Sequence, residues 1–196
     1  MTTENVAPYA ARLEIDYPDR DLDRVSTGLR LLYVLPIAIV IGLLSSATAG
    51  GLLFAPTLLM ILFRQKYPRW WFDFNLQLTR FAMRVTAYAT MMSDEYPSTT
   101  DEQYVHLDLD YPDATRLNRW APLWKWLLAI PHYIILAVLA LAALFALIVA
   151  WFAILFTGRY PRGIFEFVSG VMRWGLRVEA YAVLLITDDY PPFSLD

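Results

Sequence analysis

The sequence predicts a mainly α-helical integral membrane protein of two parallel repeats, each a short strand, a transmembrane helical hairpin and an amphipathic interfacial helix, with a small cytosolic β element. Three observations predict it. Of the 196 residues, 58% are hydrophobic and 18% charged, against about half and about a quarter in an ordinary soluble domain, and the mean hydropathy is +0.41. Residues 31–63 and 126–158 contain no Asp, Glu, Lys or Arg, although the chain is charged everywhere else. The chain also matches itself. Leu13-Glu14-Ile15-Asp16-Tyr17-Pro18 repeats as Leu107-Asp108-Leu109-Asp110-Tyr111-Pro112, Lys66-Tyr67-Pro68-Arg69 as Arg159-Tyr160-Pro161-Arg162, and Asp94-Glu95-Tyr96-Pro97 as Asp188-Asp189-Tyr190-Pro191.

In chain order, residues 1–10 read as a disordered arm, 11–98 as the first repeat, 99–104 as a linker and 105–196 as the second repeat. Residues 12–17 and 105–111 alternate polar and apolar, the period of a half-buried strand. Tyr-Pro stops each one, because proline holds the residue before it in extended geometry. As a single helix, either charge-free block would run roughly 50 Å at about 1.5 Å per residue, against a hydrocarbon core of about 30 Å. A hairpin of two short spans is therefore expected in each. The small residues from Ser45 to Gly51 supply the reversal in the first block; the second has no such punctuation, and a turn at residues 139–144 is expected by analogy, with one long tilted helix as the alternative.

Residues 69–92 and 162–186 are apolar with a narrow polar stripe, Asp73, Gln77, Arg80 and Arg84 in one and Glu166, Gly170, Arg173 and Arg177 in the other, at helical spacing. Two arginines one turn apart would each cost about 2.5–3.5 kcal/mol at bilayer centre. Interfacial helices are expected, the alternative being a third span whose arginines pair with Asp73 or Glu166.

Basic residues flank the blocks and are missing from the hairpin tips, so the positive-inside rule places both termini in the cytoplasm of a multi-pass protein of the cytoplasmic (inner) membrane. The first 26 residues lack a cleavable apolar segment, which leaves the first hairpin as the expected insertion signal. Parallel repeats imply a pseudo-two-fold axis along the membrane normal.

Two Tyr-Pro-punctuated units, with Arg116-Leu117-Asn118-Arg119-Trp120 leading to Lys125-Trp126-Leu127-Leu128-Ala129-Ile130-Pro131-His132 and later Thr157-Gly158-Arg159-Tyr160-Pro161-Arg162-Gly163, make the chain similar to the duplicated membrane proteins grouped as domain of unknown function 4389. The resemblance covers nearly the whole chain and is closer in the second unit. It implies topology and duplication, and no activity.

Absence of cysteine removes disulfides and thiol nucleophiles, and the net charge of −3 is too small to argue for nucleic acid. No phosphate-binding glycine loop, nucleophile elbow or zinc-protease helix occurs, so neither an enzyme nor a cofactor is expected. His132 lies inside the second apolar block and is the candidate intramembrane polar site; the alternative is a neutral histidine bonded to a carbonyl freed by Pro131. Arg80, Arg84, Arg173 and Arg177, with Trp70, Trp71, Trp120 and Trp124, are candidate lipid-headgroup contacts. His106, Asp108 and Asp110 share a strand face, but the first unit places Arg12 there, which favours a salt-bridged face over a metal site. Gly42, Ser46 and Gly50, and Ala142, Ala146 and Ala150, are spaced for close helix packing. The expected function is a small scaffold or accessory subunit that contacts membrane lipids and either a second copy or a membrane-protein partner. A self-associating channel or transporter is the alternative.

Overall fold

The computed structural model describes residues 9–49, 54–101 and 103–196. Strands β1 (Ala11–Ile15) and β2 (Val105–Leu109) pair antiparallel, with Leu13 opposite Leu107, Arg12 opposite Asp108 and Glu14 opposite His106. Alternation drives Ala11, Leu13, Ile15, Val105, Leu107 and Leu109 into the core and leaves Glu14, His106 and Asp108 in solvent. Leu13 and Leu107 are repeat mates. A pseudo-two-fold axis therefore passes between them, normal to the sheet, as antiparallel pairing of equivalent strands requires.

The first repeat continues through α1 (Arg24–Gly28), α2 (Arg30–Ala49), α3 (Phe54–Arg64) and α4 (Arg69–Ala89). The expected reversal falls partly on residues that are helical, since α2 runs through Ser45-Ser46-Ala47-Thr48-Ala49. The rest of it, from Gly50 onward to residue 53, lies outside the described residues, as does most of the N-terminal arm, residues 1–8.

The second repeat has α5 (Pro122–Leu128), α6 (Ile130–Thr157) and α7 (Arg162–Ala182). Here the expected hairpin is corrected: α6 is one unbroken helix through residues 139–144. Residues 139–144 are Leu-Ala-Leu-Ala-Ala-Leu, the strongest helix formers, and no Gly or Pro interrupts residues 133–157. Pro131 sits in the first turn, where a missing N–H costs nothing. Gly158, at φ 76°, ends the helix in the left-handed region.

Along α6, His132, Leu136, Leu139, Ala143, Ala150 and Ile154 form one seam against the body. The spacing of threes and fours is that of a single packed stripe. Ile134, Val138, Leu141, Phe145 and Phe152 on the remaining faces are exposed.

Helices α4 and α7 begin directly after Tyr-Pro and end at Ala89 and Ala182, a few residues short of the expected ends, and residues with left-handed backbone, Met91 (φ 64°) and Leu185 (φ 58°), follow each end. Their strands are exchanged: β1 lies on α7 and β2 on α4. Each strand is thus seated on the helix of the other repeat. The Tyr17 hydroxyl donates to the Tyr160 carbonyl, and its mate Tyr111 donates to the Tyr67 carbonyl. Arg162 covers the Tyr17 ring and Arg69 the Tyr111 ring. The repeats read from the sequence are therefore interleaved in space.

Candidate functional site

Two buried cations, each paired with an aspartate, form two copies of one clasp. Arg30 opens α2 and donates to an Asp94 carboxylate oxygen at 2.6 Å and to the Ser93 carbonyl at 3.0 Å. Lys125, its mate on α5, donates to the Thr187 carbonyl at 2.6 Å and pairs with Asp188 at 2.7 Å. The second oxygen of each aspartate accepts a backbone N–H, from Asp23 at 2.7 Å and from Asn118 at 2.6 Å. Each cation also lies over a tyrosine ring, Tyr88 and Tyr181, which meet Tyr96 and Tyr190 edge-on. Burial lowers the pKa of Lys125, with Asp188 opposing the shift. The clasp ties the acidic segment after each amphipathic helix to the start of its own repeat. The signal for the clasp in the sequence is the repeat alignment itself, which keeps opposite charges at both mates, Arg30 with Asp94 and Lys125 with Asp188.

The arginine stripe is occupied from within. Nε of Arg80 donates to the Leu107 carbonyl at 2.9 Å and Nε of Arg173 to the Leu13 carbonyl at 3.1 Å, so each braces the exchanged strand at its centre. The buried Arg84 donates to the Ser98 carbonyl at 2.8 Å and the buried Arg177 to that of Ser194 at 2.7 Å. Arg173 also reaches the Leu195 carbonyl at 2.9 Å. Asp73 pairs with Arg69 at 3.1 Å, not with the stripe. On the sheet's outer face Arg12 bridges Asp108 at 2.7 Å and Asp110 at 2.6 Å, while His106 meets Asp16 at 3.0 Å.

His132 is fully buried at the start of α6. Its Nδ1 accepts from the Trp174 indole N–H at 3.0 Å, which puts the ring proton on Nε2. That Nε2 has no hydrogen-bond partner among the described residues. The ring stacks on Phe193 at 4.0 Å and lies 4.8 Å from the Tyr190 ring. Thus the bond expected to a carbonyl freed by Pro131 is replaced by one to an indole, and the histidine docks the C-terminal segment onto α6.

Trp70, Trp120 and Trp124 are exposed, whereas Trp71 is half-buried and donates to the Thr57 hydroxyl at 2.8 Å. These tryptophans stand where the apolar helices meet charged chain. Helix α6 is long and apolar enough to cross a membrane, with a hydropathy of 3.0 over its best window, of which 11% is buried. A core helix of a soluble protein would be mostly buried. Of the small residues expected to pack, Ala150 is buried and Ala146 half-buried, while Ala142 is exposed and its neighbour Ala143 is buried in its stead.

No curated protein and no solved structure matches the chain. The family model described as Domain of unknown function (DUF4389) matches twice, over residues 24–100 and 119–194. Each match starts between a strand and the apolar helix that follows it, and ends in the segment that closes the clasp. Together they span most of the sequence, and the chain belongs to the DUF4389 family as a protein with two copies of its domain.

Proposed function

We propose that this protein is a small membrane-embedded scaffold or accessory subunit. The observation that carries the reading is the contrast between α6, with its exposed apolar faces, and the charged outer face of the sheet. The first suits lipid, the second an aqueous partner. The buried cations support the same reading, because Arg30, Lys125, Arg84 and Arg177 all hold chain segments in place. Membrane lipids are the first partner. A second copy or another membrane protein is the next, docking against the cytosolic sheet and acidic segments, with the termini on the cytoplasmic side.

Two measurements test this. The expressed protein should remain with membranes after alkaline carbonate washing and need detergent for release; recovery in the wash would remove the membrane reading. Purified in native detergent, it should elute as a complex with itself or with a membrane protein. A robust ion flux through reconstituted vesicles would replace the scaffold with the channel alternative.

A further inference from the structure

We propose that the molecule lies in one leaflet of the bilayer, with α6 in the membrane plane instead of across it, so that the ligand of the apolar surface is the acyl region of a single leaflet. The inference rests on the membrane-embedded reading and adds its geometry.

The chain beside α7 is charged from one end of that helix to the other. The Tyr9 hydroxyl donates to the Asp189 carbonyl at 3.0 Å, just past the C-terminal end of α7. Arg173 holds Leu13 at mid-helix, and Tyr17 is held at Tyr160, just before α7 begins. Leu22 N–H then reaches the Gly158 carbonyl at 2.7 Å, and Asp21 pairs with Arg159 at 3.2 Å, at the C-terminal end of α6. Arg12, Glu14, Asp16 and Arg20 fall along this path. Helix α6 runs antiparallel to α7, with His132 at Trp174 and Gly158 close to the start of α7. An upright α6 would carry α7 and this charged strand into the hydrocarbon, at about 2.5–3.5 kcal/mol for each charge near the centre. A flat α6 keeps them in water.

Symmetry is consistent with this orientation. The pseudo-two-fold axis is normal to the sheet. With that axis along the membrane normal, both units present their apolar helices to one leaflet and the charged outer face of the sheet stays in water, whereas an axis in the membrane plane would carry those charges to membrane depth. Length agrees as well, since 28 residues make roughly 42 Å at about 1.5 Å each, longer than the hydrocarbon core of about 30 Å. The charge-free helices and their charged partners together form one amphipathic slab.

The chain has no cysteine, so paired single-site labels report topology without background. Arg119→Cys and Arg159→Cys place exposed thiols near opposite ends of α6. In sealed vesicles treated with an impermeant maleimide-polyethylene glycol, a flat molecule should shift by two labels or by none; an upright one should shift by one label throughout, which would overturn the in-plane geometry while leaving the membrane reading standing. The pair Arg116→Cys and Arg162→Cys, also exposed and near opposite ends of α6, asks the same question should the first pair fail to fold. Leu144→Cys, on the exposed face of α6, should stay unlabelled until detergent is added. Labelling of Leu144→Cys in intact vesicles, with the protein released by carbonate, would overturn both readings together.

Discussion

Arg30 and Lys125 perform one task for carboxylates of different exposure, and the difference is measurable. The Asp94 side chain is 14% exposed and that of Asp188 33%. Removing a cation strands a carboxylate, and stranding a more buried one costs more. Arg30→Met should therefore destabilise by about 3–5 kcal/mol and Lys125→Met by less, read as thermal midpoints in detergent, with Asp94→Asn recovering part of the loss in the Arg30→Met background. An equal cost at both sites would mean that the tyrosine rings, not the carboxylates, hold the cations. Glu179 on α7 gives a pH prediction. Burial raises its pKa above the ordinary 4.5, so its contribution is present in full below about 4.5 and is lost as pH rises through the raised value. Glu179→Gln should stabilise the protein at pH 7 to 8, with the gap over the native chain closing toward pH 4. A gap that is constant with pH would show that the carboxyl is solvated.

At the scale of elements, α6 separates packing from lipid contact along one helix. Ala150 is fully buried in the seam, and Val149 beside it is 59% exposed. Ala150→Leu should cost about 1–3 kcal/mol by overpacking, while Val149→Leu should leave the detergent midpoint unchanged; equal effects would remove the seam. The strands and the starts of α4 and α7 were legible in the sequence because alternation and Tyr-Pro act locally. The continuity of α6 was also written there, in a run of Leu and Ala without glycine, but analogy with Gly50-Gly51 in the first block overrode it. The clasp was not read because Arg30 and Asp94 lie far apart in sequence, and each alone looks like an ordinary flanking charge. His132 was singled out by its depth, yet its partner Trp174 is a neighbour only through the antiparallel packing of α6 on α7.

Exchange of strands is a property of the whole molecule, and no local pattern reveals it: Leu-x-Ile-x-Tyr-Pro says that a strand is present, not which copy of the helix will receive it. Residues 1–104 and 105–196 made separately should each lack a seat for their strand and prove protease-sensitive in detergent, whereas co-expression should restore a resistant 1:1 complex. A stable, monomeric half on its own would show that a strand can be seated on the helix of its own repeat. The exchange also sets a schedule for biosynthesis. β1 leaves the ribosome roughly 150 residues ahead of α7, so at about 5–20 residues per second the strand waits on the order of ten seconds for its seat. Until β2 follows it is an unpaired edge, and until α7 follows Leu13 and Ile15 stay uncovered, with only Arg12, Glu14 and Asp16 to discourage association with other nascent chains. The alternating charges that face water in the finished protein therefore also protect it while it is incomplete.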